Sequence, residues 1–325
     1  MSSNDDERAA RLDPQTLAFL RALEAQGGPR LYRLTPAAAR TVLLRVQTGS
    51  HVAKQTATLE DRTINTGPTG TISLRLVRPV GSTSLLPGVM YFHGGGWLLG
   101  DPETHDRLLR ELVNATQTTI VFVDYARSPA AKFPLALEQA YSATAWVAQH
   151  GATIGVDPSR LAVVGDSVGG TLATVVALLT KQRQGPKLCF QVLFYPVTDA
   201  NLDNASYRQF GDGSYGLAKT GMQWFWDSYI AADQRKDPTV APLQATVEQL
   251  RGLPPALIIT AENDIVRDEG EAYVHKLIEA GVVVTATRYL GTIHDFIMLN
   301  ALTGTPAARA AIAQASAALR NAFAR

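Results

Sequence analysis

Residues 165–169 read Gly165-Asp166-Ser167-Val168-Gly169, a G-x-S-x-G pattern that occurs once in the chain. It follows the apolar run Leu161-Ala162-Val163-Val164 and precedes a helical pattern from Gly170 to Leu179. A serine on a strand-to-helix elbow presents its Oγ at the carboxyl edge of a sheet, and the flanking glycines let neighbouring backbone pass close. The helix behind it points a positive dipole end at the same spot. The chemistry on offer is nucleophilic attack. An ordinary turn with a helix-capping serine carries the same residue types, so the pentapeptide alone does not decide between the two.

A second feature does. His93-Gly94-Gly95-Gly96-Trp97 follows the run Val89-Met90-Tyr91-Phe92. Three consecutive glycines cost conformational entropy, and a chain keeps them where backbone must come close to something. Backbone N–H groups aimed at a developing oxyanion are the requirement of acyl transfer. A phosphate cradle is the rival reading, but no G-K-[S/T] follows these glycines.

Acyl transfer also needs a base and a group to orient it. After a serine on such an elbow, the acid and then the histidine follow in chain order. Only His275 and His294 lie beyond Ser167. His275 falls within a helical pattern beside Tyr273, Val274 and Leu277, the setting of a packed or surface histidine. His294 lies in Gly291-Thr292-Ile293-His294-Asp295-Phe296, just past the candidate strand 284–290. Loops at the carboxyl ends of strands are where sheet enzymes hold catalytic groups. His51, His105 and His150 precede the nucleophile and read as surface or core residues, and His93 reads as ordering the glycine loop. For the acid, Asp264 and Glu262 both follow the strand Leu257–Thr260, and position favours Asp264 only modestly. Asp268 and Glu269 read as first-turn carboxylates of the next helix. Asp166 should point away from so tight an elbow.

The elements that must carry these residues are legible as a rhythm. Candidate strands are 54–64, 71–78, 88–92, 119–124, 161–165, 190–195, 256–260 and 284–290. Helical patterns fall at about 103–117, 134–150, 168–184, 268–280 and 305–323. Runs such as Thr119–Val123 do not alternate, as expected for strands buried on both faces of a parallel sheet. This predicts an α/β fold with helices on both faces of the sheet, the first two strands forming an antiparallel pair. The segment from Asp13 to about Val46 reads as two helices, split at Gly27-Gly28 and restarted at Thr35-Pro36. The stretch 199–250 breaks the rhythm: polar at first, then aromatic at Trp224, Phe225, Trp226 and Tyr229. A segment that long between strands is an insertion or a lid.

The 325 residues carry 30 Lys+Arg against 29 Asp+Glu, a net charge of +1. That balance exerts no global pull toward nucleic acid or anionic membrane. The single cysteine, Cys189, excludes an intrachain disulfide and multi-cysteine metal sites, and its place beside a strand reads as core packing. The polar, acidic N-terminal residues lack a signal-peptide pattern. No apolar run reaches the roughly 18 residues of a membrane span. A cytoplasmic protein is expected.

With these motifs in order, the chain resembles the hormone-sensitive-lipase-like family of α/β-hydrolases, in its bacterial esterase branch. The resemblance runs from about Thr71 to the end and includes the two glycine motifs, Tyr195-Pro196, Trp224-Phe225-Trp226, the stretch Asp264–Gly270 and His294-x-Phe296. It implies an α/β-hydrolase fold with a mostly parallel eight-stranded sheet and a helical cap. It implies Ser167 as nucleophile, His294 as base and Asp264 as orienter. The oxyanion donors would be the N–H groups of Gly95, Gly96 and Val168. Val168 departs from the family's usual alanine and Ile265 from a common proline; Asp124–Ala130 also differs from the family's stretch there.

The resemblance divides the chain into a cap segment (1–50), a catalytic domain (51–198 and 236–325) and an inserted cap segment (199–235). It implies hydrolysis of short- to medium-chain acyl esters through an acyl-enzyme, with no metal or cofactor, and a possible homodimer. Arylamide deacetylase or lipase activity would use the same triad. Of another class altogether, a ligand-binding receptor on this fold would lack the catalytic histidine, whereas His294 is present. With an unperturbed imidazole, activity should fall as His294 protonates near pH ~6.5.

Overall fold

The computed structural model describes residues 3–324. Met1 and Ser2, part of the polar N-terminus noted above, lie outside the described residues, as does Arg325.

Eight strands among the described residues form one sheet in the order β1-β2-β4-β3-β5-β6-β7-β8. They are β1 (Thr58–Ile64), β2 (Ile72–Arg78), β3 (Leu86–Phe92), β4 (Thr119–Asp124), β5 (Val156–Asp166), β6 (Phe190–Phe194), β7 (Ala256–Asn263) and β8 (Val284–Ile293). β2 runs antiparallel to both β1 and β4, while the pairs from β4 onward are parallel. The expected antiparallel first pair is present. β1 begins at Thr58 rather than at residue 54, and β5 and β8 extend beyond their expected ends.

The helices are α1 (Ser3–Arg11), α2 (Pro14–Gln26), α3 (Pro36–Thr48), α4 (Pro102–Thr116), α5 (Leu135–His150), α6 (Val168–Gln182), α7 (Ala205–Phe210), α8 (Lys219–Tyr229), α9 (Val247–Leu250), α10 (Arg267–Glu279) and α11 (Pro306–Phe323). α1 was not expected. Asp13 ends it by capping the next helix: its carboxylate takes the N–H groups of Gln15 and Thr16, and Pro14 opens α2. α2 stops at Gly27 and α3 starts from a Thr35 cap, both as the pattern predicts.

Side chains alternate across the sheet. Val89 and Tyr91, Ile120 and Phe122, and Leu257 and Ile259 enter one core; Met90 and Phe92, Val121 and Val123, and Ala256 and Ile258 enter the other. Both faces are therefore dry, which is why these strands read as unbroken apolar runs. Cys189, expected within the strand, lies just before β6; it is half-buried and packs against the first of these cores.

Candidate active site

Four strands deliver the candidate residues to one edge of the sheet. β3 and β5 are neighbours, with Phe92 opposite Gly165, so the glycine loop and the serine elbow leave side by side. β4 and β5 flank β3 on opposite sides. The winding therefore reverses there, and such a switch point opens a crevice at the strand ends. β7 and β8 are also neighbours, with Asn263 opposite Ile293. The next residue on each strand is Asp264 and His294.

Ser167 sits between β5 and α6 with φ 54° and ψ −122°. A non-glycine residue held there costs about 1–3 kcal/mol. The elbow is held by Ser167 N–H donating to the Phe194 carbonyl at 2.9 Å. A β-carbon on Gly165 would overlap the Gly169 carbonyl, and one on Gly169 would overlap the Phe92 carbonyl. The glycines of the pentapeptide are there for close backbone approach, as the pattern predicts.

Ser167 Oγ lies 2.9 Å from His294 Nε2, and His294 Nδ1 lies 2.7 Å from Asp264 Oδ2. All three side chains are buried. Burial opposes the imidazolium, but the Asp264 and Asp295 carboxylates raise the His294 pKa to about 9. The unperturbed value assumed from sequence is thereby displaced upward. Asp264 Oδ1 also accepts from Val266 N–H at 3.1 Å, which fixes the carboxylate plane. Glu262 is elsewhere: its Oε2 accepts from Gly291 N–H at 2.8 Å. Glu269 is buried and accepts from the N–H groups of Thr198 and Asp199, while Asp268 accepts from Ser206 N–H. His275, His51 and His150 are exposed.

Gly95 and Gly96 have φ of 100° and 64°. Among the described residues, no protein acceptor takes the N–H of Gly95, Gly96 or Val168. Gly95 and Gly96 line the cavity over Ser167, and Val168 directly follows that serine. The loop is held from behind. His93 stacks on Tyr125 with centroids 4.1 Å apart, and its Nδ1 donates to the Gly94 carbonyl at 2.8 Å. Burial, helped by neighbouring His105, pushes the His93 pKa down to about 3. It is a neutral structural ring, in line with its reading from sequence. Asp166 does point away from the elbow, accepting from Tyr91 OH at 2.8 Å and facing His105 Nε2 at 3.3 Å. Burial works against its charge, yet His105 and Tyr91 hold the carboxyl below its ordinary value.

Sequence reasoning missed the residues that tie the N-terminal helices to this site. Arg40 on α3 donates from Nε to the Leu98 carbonyl at 2.8 Å and from Nη2 to the Ser128 carbonyl at 3.0 Å. Gln47 on α3 donates to the carbonyls of Thr104 and Met298. Their partners lie 57 or more residues away, so no local sequence pattern signals them. Trp97, at the end of the glycine motif, stacks on Tyr229 of α8 at 4.2 Å and meets Trp226 at 4.7 Å.

The cavity over Ser167 measures about 200 Å³. Phe19, Leu20 and Leu23 of α2, Leu43 and Val46 of α3, and Met222 and Phe225 of α8 line it. Among the described residues no group of His, Cys, Asp or Glu is arranged to hold a metal ion. No helix among them is long and apolar enough to cross a membrane.

Comparison with known proteins agrees with this architecture. The family described as alpha/beta hydrolase fold matches residues 89–298. The chain is 36% identical over 269 residues to carboxylesterase NlhH of Mycobacterium tuberculosis, covering 82% of this chain and 83% of that one. It is 36% identical over 249 residues to ethyl acetate hydrolase of Pseudomonas putida, covering 75% and 77%. The crystal structure of a thermostable esterase from Pseudomonas putida superposes with a TM-score of 0.94 at 49% identity, covering 96% and 98%. The chain belongs to the hormone-sensitive-lipase-like family of α/β-hydrolases.

Proposed function

We propose that this protein hydrolyses short- to medium-chain acyl esters through an acyl-enzyme on Ser167. That it is a carboxylic ester hydrolase follows from its family and its esterase relatives. The observation that carries the mechanism is the unbroken relay Asp264–His294–Ser167 beneath an apolar cavity.

His294 Nε2 takes the Ser167 proton as Oγ attacks the ester carbonyl. The N–H groups of Gly95, Gly96 and Val168 stabilise the oxyanion. Asp264 holds the imidazole tautomer and favours its charged form. His294 then protonates the leaving alcohol. Water, deprotonated by His294, releases the acid and regenerates Ser167.

In this reading residues 1–50 and 199–235 form a cap over a catalytic domain of 51–198 and 236–325, because both segments line the cavity. The small volume over Ser167 supports short or medium acyl groups, and the ethyl acetate hydrolase among the relatives supports the same size class. A cytoplasmic setting and a homodimer through the edge strand β8 belong to the same proposal; Leu290 on β8 is 69% exposed.

An acyl-chain series of p-nitrophenyl esters, run beside an anilide, tests this. The expected result is highest kcat/KM at two to six acyl carbons, about what a cavity of this size encloses, and little anilide cleavage. A preference for long chains or for the anilide would replace the reading with lipase or amidase.

A further inference from the structure

The cavity over Ser167 encloses about 200 Å³, below the roughly 300–1,000 Å³ of an ordinary ligand site. A space of that size suits one arm of an ester and leaves no room for a second long one. Beyond it, between α2 and α3, lies a groove of about 1020 Å³. Phe19, Leu23 and Val46 line both spaces, so these side chains are a wall between them. All three are only half-buried, which leaves them free to change rotamer. Ala22 of α2 and Val42 of α3 line the groove alone. Two of its polar side chains are spent on backbone: Gln15 Nε2 donates to the Ala301 carbonyl at 2.6 Å, and Thr41 Oγ1 to the Ala37 carbonyl at 3.1 Å. Among the described residues, no Asp or Glu lines the groove.

The groove lies on the side of the base. His294 Nε2 faces Ser167 Oγ at 2.9 Å and is the group that protonates a leaving oxygen, so an alcohol arm departs on the His294 side. The chain after His294 runs from one space to the other: Asp295 and Leu299 line the cavity, and Ala301 lines the groove. Both groove helices are fastened to this stretch. Gln15 of α2 holds Ala301. Gln47 of α3 donates from Nε2 to the Met298 carbonyl at 3.0 Å and accepts on Oε1 from Asn300 N–H at 2.9 Å. Gly95 and Gly96, by contrast, line the cavity alone.

We propose that the groove between α2 and α3 is the alcohol subsite, and that the preferred substrates are short-acyl esters of alcohols with a long, uncharged apolar arm. The inference rests on the triad reading above. The acyl arm stays in the cavity over Ser167, whose walls cap its length. The alcohol arm passes Phe19, Leu23 and Val46 and lies along Ala22 and Val42. When the bond from the acyl carbon to the alcohol oxygen breaks, that oxygen takes the proton from His294 Nε2, and the alcohol leaves along the groove.

Hexyl acetate and methyl heptanoate are isomers that differ in which arm is long. Steady-state hydrolysis of both, beside methyl acetate, tests the proposal on the full chain. In the wild type, kcat/KM should rise roughly two- to fourfold for each methylene added on the alcohol side, as burial of apolar carbon gives. Hexyl acetate should exceed methyl heptanoate by at least about tenfold on the same ground. Val42→Trp fills the groove from α3. There the ratio of hexyl acetate to methyl acetate should fall about tenfold or more, while the ratio of methyl heptanoate to methyl acetate holds. Ala22→Trp, at an exposed position of α2, is read in the same way if Val42→Trp does not fold. A fall in the acyl-side ratio instead would put the acyl arm in the groove and overturn the proposal. So would two unmoved ratios, or a wild type that prefers methyl heptanoate. The p-nitrophenyl acyl series fails separately, because its alcohol arm is constant. Wild-type turnover in Ser167→Ala would overturn the triad reading, and this inference with it.

Discussion

The ring of Phe225 lies against the α-carbon of Gly96, so that a β-carbon there would overlap it. One residue belongs to the inserted segment and the other to the glycine loop that follows β3. Their contact makes α8 part of the wall that shapes the glycine loop beside Ser167.

Gly96→Ala meets two penalties at once. The φ of 64° disfavours any β-carbon, costing about 1–2 kcal/mol, and the Phe225 ring must move. Activity on p-nitrophenyl butyrate should drop by roughly 10²–10³-fold, as when one oxyanion donor is lost. Adding Phe225→Ala should restore part of the melting temperature but little activity, because the strained φ remains. Thermal unfolding and steady-state kinetics on the single and double variants check this.

Ser167→Ala should lose roughly 10⁶-fold in kcat and keep its melting temperature within a few degrees. Replacing the hydroxyl also leaves nothing for a fluorophosphonate to label. Intact-mass analysis after labelling should show an adduct on the wild type and none on the variant.

The two carboxylates near the end of β7 have different work. Asp264→Asn should reduce kcat about 10⁴-fold through the wrong imidazole tautomer. Glu262→Gln keeps an acceptor for Gly291 N–H and should keep kcat within a few-fold. Equal losses in the two variants would reassign the orienting acid.

In the proposed mechanism neutral His294 is the base, so rate rises with pH through its pKa. Burial lowers that pKa, but Asp264 and Asp295 outweigh it and raise it to about 9. The acid limb of kcat/KM should therefore lie above the ordinary imidazole value of about 6.5. Asp264→Asn removes the larger raising charge and should move the limb to lower pH on its residual activity. A wild-type midpoint at or below 6.5 would contradict the charge coupling.

What the sequence determined by itself is local. The serine elbow and the glycine loop each lie within a few residues of a strand end, and the glycines they need for close backbone approach are part of the same short motif. The alternation of apolar runs with helical patterns carried the α/β class, because strands covered on both faces have no polar positions to spare. The choice between Glu262 and Asp264 was not local. It depends on β7 and β8 pairing with Asn263 opposite Ile293, a register set by cores some 30 residues apart in sequence. The same holds for Arg40 and Gln47, whose carbonyl partners come near only when α3 packs over the glycine loop. Asp295 was visible only as the residue after a histidine. Its positive φ, its unpartnered oxygen and its distance to Nε2 arise when the loop closes over the cavity, since hydrogen-bond satisfaction belongs to the packed surroundings and not to the residue alone.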